Sequence, residues 1–163
     1  MDHDPLVLVH ARALLTSHPE GRTDHLDADL REPAEIIEGA RRTLDFDQPI
    51  ALTLLGILNF VPDDDVAAHL VARLVEALPP GSYLAISHPT TEINGETMVE
   101  ALRLWNEGPA AKMVLRSAEQ VKHLFGDLDM VEPGVVSCSQ WRPDKGEENA
   151  EPVPHYGGVG RKP

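Results

Sequence analysis

A single cysteine, Cys138, leaves the chain unable to form an internal disulfide or a cysteine-based zinc site, and suits a reducing compartment. Basic residues are scarce as well. Fourteen Lys and Arg stand against 27 Asp and Glu, for a formal net charge of −13 and a pI near 4.9. Such a balance argues against binding DNA, RNA or an anionic membrane, because phosphates need Lys and Arg to neutralise them. No apolar run approaches the roughly 20 residues a bilayer-spanning helix needs. The opening MDHDPLVLVHAR is acidic where a secretory signal is basic, so the expected location is cytoplasmic. There is no G-x-G-x-x-G and no HExxH, and the eight histidines (His3, His10, His18, His25, His69, His88, His123, His155) show no metal-ligand spacing. Ser87-His88 has no nucleophile elbow around it. There is no internal repeat. At 163 residues the chain is read as one domain, 1–163, with a polar, Pro/Gly/Glu-rich loop over 142–154.

The rest of the chain is organised around Pro49–Asp65, PIALTLLGILNFVPDDD. Its apolar run Ile50–Leu55 has strand length, is bounded by Pro49, and reads as a strand buried on both faces in the middle of a parallel sheet. Open α/β folds place their ligands beyond the carboxyl ends of such strands, so Gly56–Asp65 is expected to line any site.

Taken in order, Asp4-Pro5 opens a helix with a cap and a proline at the first helical position, and Leu6, Val9, Ala13 and Leu14 form its apolar stripe. Thr23–Ala28 is a short strand candidate and Pro33–Gly39 a short helix. Asp63 or Asp64 caps a helix running to Leu78, with Val66, Leu70, Leu74 and Leu78 on one face. Ser82–Ser87 is a second core strand, and Glu96–Glu107 a helix carrying Met98, Leu102 and Trp105. The capping box Ser117-Ala118-Glu119-Gln120 opens a helix to Phe125. Leu128–Val131 and Val135–Cys138 read as strand segments, and Tyr156–Arg161 as a final strand whose glycines have no helix to follow them. Alternating strands and helices predict an α/β fold with a mostly parallel sheet. One element is out of place: the first helix cap has no strand before it.

Several segments together resemble an actinobacterial family of S-adenosylmethionine-dependent methyltransferases, once grouped as a domain of unknown function. They are Asp2-His3-Asp4-Pro5-Leu6-Val7-Leu8, His10–Leu15, Asp27-Ala28-Asp29-Leu30-Arg31, the F-V-P-D core of Leu58–Asp65, Gly81–Leu84, Val131–Val136 and Gly158–Pro163. Each is weak alone; in order they span nearly the whole chain. The resemblance implies a Rossmann-like class I methyltransferase sheet that lacks its first two strands. A helical amino-terminal region and a Gly-rich cofactor loop would also lie upstream of these residues. Met1 stands where the family has an apolar residue, usually Val. A GTG codon encodes Val internally or serves as a start, so a misplaced start is an expectation. Asn59 stands where the family more often has His.

The resemblance also implies roles. Asp2 would accept the cofactor's ribose hydroxyls, since one carboxylate takes two donors. Asp29 and the Leu30 N–H would meet adenine. Gly56 either admits a ligand close to the backbone or simply ends the strand. Asn59, Phe60 and Trp105 are candidates for the substrate pocket, with plain core packing as the competing reading for Phe60 and Trp105. His88 follows a strand end and is either a base or a solvated loop residue. Asp63-Asp64-Asp65 reads as caps and helix-dipole partners rather than a metal site. The expected function is methyl transfer from S-adenosylmethionine, without a metal, to an acceptor the sequence does not specify, with the upstream part required. The rivals are a non-catalytic remnant acting as a binding module, and a domain completed by a partner. The open sheet edge also predicts self-association.

Overall fold

The apolar run after Pro49 is strand β1, Ala51–Leu55, in the computed structural model of the protein, which describes residues 1–163 apart from His3, Thr16 and Glu148. β1 pairs in parallel with β2, Tyr83–Pro89, in a register that sets Ala51 beside Tyr83 and Leu55 beside Ser87. β3 (Asp129–Met130) and β4 (Val136–Ser137) both pair with β5, His155–Arg161, and β5 pairs with β2. The sheet order is β1-β2-β5-β3, with β4 also on β5. The expectation of a mostly parallel sheet holds for strand direction and fails for pairing. β1 to β4 point one way, but the reversed β5 lies between β2 and the β3/β4 edge, so among the strands of the described residues β1–β2 is the one parallel pair.

Three of the five helices among the described residues begin where a polar side chain takes up one of the first free N–H groups. In α1, Pro5–Leu14, the Asp4 carboxylate accepts from Leu6 N at 2.8 Å. α2 is Pro33–Ala40. In α3, Asp64–Glu76, the cap is Asp63, accepting from Val66 N at 2.9 Å. α4 is Gly95–Glu107, and α5, Ala118–His123, starts on the complete Ser117/Gln120 capping box. No helix among the described residues is long and apolar enough to cross a membrane.

The core lies on one face of the sheet. Leu54, Leu84 and Ile86 pack there with Leu70, Val71 and Leu74 of α3 and with Val121, Leu124 and Phe125 in and after α5. The opposite face of β1 is open: Ala51, Thr53 and Leu55 are exposed, Leu55 by 64%. β1 is therefore not buried on both faces as its composition suggested. Apolarity reports what a strand can bury, whereas burial needs a covering layer, and these residues supply one on one side only. The α1 stripe shows the same difference. Leu8 is its one buried residue, and Leu6, Val9 and Leu14 face outward. Likewise Val66 of α3 is exposed, and Ala67 and Val71 take the inward positions beside Leu70 and Leu74.

The terminal glycines serve packing. A Cβ on Gly160 would come within 3.0 Å of Phe125 and Leu128, and one on Gly158 within 3.1–3.3 Å of Val135 and Phe125. β5 is thus a bare seat on which Phe125 rests.

Thr23–Ala28 does not form a strand. It makes one parallel bridge, Asp2 to Asp27, through Asp2 N–H to Leu26 O and Ala28 N–H to Asp2 O, each 3.1 Å. A ladder needs successive paired residues, and a single bridge does not make one. Between this bridge and β1 the sheet is interrupted. Ile50 O accepts from Tyr83 N and Gly56 N donates to Ser87 O, so in a parallel ladder the even-numbered residues of β1 bond to β2. The N–H and C=O groups of Ala51, Thr53 and Leu55 then point into the gap.

Candidate functional site at the carboxyl end of the first strand

A cavity of about 510 Å³ occupies that gap at the carboxyl end of β1. Met1, Asp2 and Ala28–Arg31 form one wall; Thr53, Leu54, Leu55, Ile57, Phe60 and Val61 form the other. An apolar pocket of about 260 Å³ continues it toward Leu26, Leu44 and Phe46.

Four of the candidate residues meet here: Asp2, Asp29, Leu30 and Phe60. The Asp2 carboxylate accepts from Asp4 N at 2.8 Å, which ties the segment to the start of α1. Asp29 closes a tight turn by accepting from Arg31 N at 2.9 Å, and its other oxygen meets the Arg31 guanidinium at 3.3 Å. A carboxylate has about four lone-pair positions, so both acids keep acceptor capacity for hydroxyl or amine donors. Gly56 stands between the lining residues Leu55 and Ile57 without lining the cavity itself. Its φ of +62° is the left-handed conformation that turns the chain off β1, and nothing lies within 4 Å of where a Cβ would stand.

Two candidates lie apart from the cavity wall. Asn59 is 3% exposed beneath it; its carbonyl accepts from Val114 N at 2.9 Å, and its Oδ1 has no partner in the structure. Trp105, on α4, stands beside Phe60, with ring centroids 6.2 Å apart. Its Nε1 donates to Ala111 O at 2.9 Å, and Asn106 brackets the Met113 backbone, so the loop after α4 is folded back beside the helix.

His88 is neither a base in the site nor a solvated loop residue. It is fully buried, its Nδ1 lies 2.9 Å from Pro89 O and its Nε2 lies 2.8 Å from Nη1 of Arg116. A carbonyl only accepts and a guanidinium only donates, so the tautomer is fixed: Nδ1 carries the hydrogen and Nε2 accepts. Burial, above all, lowers the pKa to about 4, with the Arg116 charge acting the same way and the Pro89 hydrogen bond opposing. The ring is a neutral acceptor with no free nitrogen.

Arg116 is the residue sequence reasoning missed. It is 1% exposed and donates to Leu58 O at 2.9 Å, Val61 O at 2.7 Å, Asp64 Oδ1 at 2.8 Å and His88. Asp64 also accepts from Gln120 Nε2, and its carboxyl is held below the usual carboxylate range chiefly by the Arg116 hydrogen bond. The acidic triplet is thus divided between capping α3 and pairing with Arg116. Among the described residues no group of three or more His, Cys, Asp and Glu is placed to hold a metal ion. His3 lies outside the described residues. The only sequence sign of Arg116 is a cation closing the apolar run Met113–Leu115 just before a capping box.

A sheet with an acid-lined cavity beyond its strand ends defines the Rossmann-like class that binds nucleotide-bearing cofactors. Within that class the chain belongs to the S-adenosyl methyltransferase family, whose model matches residues 1–163. The cofactor of that family is S-adenosylmethionine. A DUF574 family protein from Streptomyces avermitilis is 40% identical over 99% of this chain and 63% of its own, with a TM-score of 0.89. A putative methyltransferase from Thermobifida fusca is 34% identical over 99% of this chain and 61% of its own, with a TM-score of 0.84. The chain therefore spans a little over three-fifths of these relatives. A SAM-dependent methyltransferase from Methanosarcina mazei shares the fold at 11% identity and a TM-score of 0.58, over 99% of this chain and 79% of its own. No curated protein matches the chain.

Proposed function

We propose that these residues form the ribose- and adenine-facing part of an S-adenosylmethionine site for methyl transfer to an acceptor. The supporting observation is the convergence of Asp2, Asp29, Leu30 and Phe60 on one cavity at the end of β1. The donor set suits the cofactor: the carboxylates accept from ribose hydroxyls and the adenine amine, and the apolar wall of Leu55, Ile57 and Phe60 takes a flat base. When bound, the cofactor supplies an activated methyl group to an N, O or C nucleophile. The chain's own part is to bind, orient and exclude water rather than to move a proton. Calorimetric titration with S-adenosylhomocysteine tests the reading. Asp29→Ala should weaken binding by about ten- to hundredfold, the range for one charge-assisted hydrogen bond. Wild-type protein giving no heat, with or without a completing segment, would refute it.

The gap supports a further part of this reading, that binding is completed by an additional parallel strand and its loop, supplied by residues upstream of these 163 or by a partner. The same free edge supports pairing between copies of the chain. Thr53→Pro tests that arm, because the Thr53 N–H points into the gap and its loss breaks no β1–β2 bond. Dimers or larger species of the wild type on size exclusion should become monomers in the variant. A wild type that stays monomeric at high concentration would sink self-association and leave the cofactor reading standing.

A further inference from the structure

The Leu58–Val61 segment is a single 3-10 turn, held internally by Phe60 N–H to Ile57 O and Val61 N–H to Leu58 O, each 3.1 Å. A turn of this kind has poor hydrogen-bond geometry and little stability of its own. Its side chains nevertheless form part of the cavity wall through Phe60 and Val61. A buried guanidinium is costly to desolvate unless its donors are matched, and here they are spread over three separate elements. Two go to the turn's carbonyls at Leu58 and Val61, one to Asp64 at the start of α3, and one to His88 on β2. Val114 N–H holds the Asn59 carbonyl from the same connecting segment.

We propose that Arg116 is a positioning residue for the cavity: its guanidinium fixes the Leu58–Val61 turn against β2 and α3 and so sets where Phe60 and Val61 stand on the wall. The inference rests on the reading of that cavity as the cofactor's site. The fork geometry is essential to it. A planar guanidinium reaches two carbonyls of one turn while also facing a carboxylate and an imidazole, which the point charge of a lysine does not do. His88 completes the arrangement as an acceptor, since its Nε2 offers a lone pair to Arg116 rather than a second positive charge.

The test pairs Arg116→Lys, which keeps the charge, with Asp64→Asn at a carboxylate that is 46% exposed and so tolerates the change. Amide hydrogen exchange is read at Phe60 and Val61 against Leu84 and Ile86, and S-adenosylhomocysteine affinity is measured well below melting. Arg116→Lys should speed exchange at Phe60 and Val61 by about tenfold, leave Leu84 and Ile86 protected, and weaken the ligand by about tenfold. Asp64→Asn should shift both in the same direction by less. A mere staple of the fold would lower protection everywhere and leave the affinity of the folded protein unchanged, which overturns the proposal. If the lysine variant does not fold, Asp64→Asn decides by the same two readouts. If the wild type binds no ligand, the reading of the cavity fails, while exchange at Phe60 and Val61 still decides whether Arg116 holds the turn.

Discussion

Lowering the pH from 7 to 4 should remove about 3 kcal/mol of folding stability through His88 alone. The folded ring has a pKa of about 4 against 6.5 for a free histidine, and each unit is worth about 1.4 kcal/mol. Between those values the unfolded chain binds the proton and the folded one does not, so stability rises with pH across the window. The His88 contribution is complete above about pH 6.5, falls as the pH drops toward 4, and changes no further below that. The cause is burial first, then the Arg116 guanidinium 2.8 Å away, which a protonated ring would face as a second cation. Asp64 adds a separate loss at lower pH. Its depressed carboxyl contributes stability above its unfolded value of 3.8, which fades as the pH falls below that. Denaturant melts at pH 7, 5.5 and 4 measure the slope. His88→Gln keeps an acceptor for Arg116 and a donor for Pro89 O, so it should flatten the curve between pH 6.5 and 4. A wild-type curve already flat there would show that His88 is not held neutral.

Gly160→Val should lower stability by about 3 kcal/mol, the upper end for overpacking, and the melting temperature by about 6–12 °C. Its Cβ would press on the Phe125 ring and on Leu128 at 3.0 Å, and the branch adds two more atoms where a single carbon is already tight. The ring cannot withdraw easily, because Phe125 is 3% exposed and packed in the core beside Val121 and Leu124. Gly158→Val should follow it with a smaller loss, since its nearest neighbours stand at 3.1–3.3 Å. Intrinsic strand preference predicts the reverse, because valine favours strands and glycine weakens them. Thermal melts of the two variants decide between packing and propensity. A melting temperature unchanged or raised in Gly160→Val would show that Phe125 does not need the bare strand.

Local chemistry was legible in the chain itself. The Asp4 and Asp63 caps, the Ser117/Gln120 box, the proline at the first position of α1 and the apolar runs of β1 and β2 each depend on neighbours within a few residues, and each stands in the structure. The ordered set of short segments was equally readable and identified the family. Part of the site was readable by the same route: Asp2, Asp29, Leu30 and Phe60 were named from the sequence, and the fold draws them to one cavity.

What depended on distance in sequence could only be decided by the tertiary structure. Whether β1 is covered on one face or two, and which side of α1 turns outward, is set by layers that no window of residues contains. His88 read as either a strand-end base or a solvated loop residue, and became a buried acceptor only because Arg116, 28 positions away, arrives with a donor. The glycines of β5 were readable as part of a final strand but not for what they do there, which is to serve as a seat because Phe125 lies on them. Arg116 itself carried no local mark, since its four partners come from a turn, a strand and a helix brought together by folding. Hydrogen-bond capping acts along the chain and can be read there, whereas burial and charge pairing act through space and exist only once the chain has closed on itself.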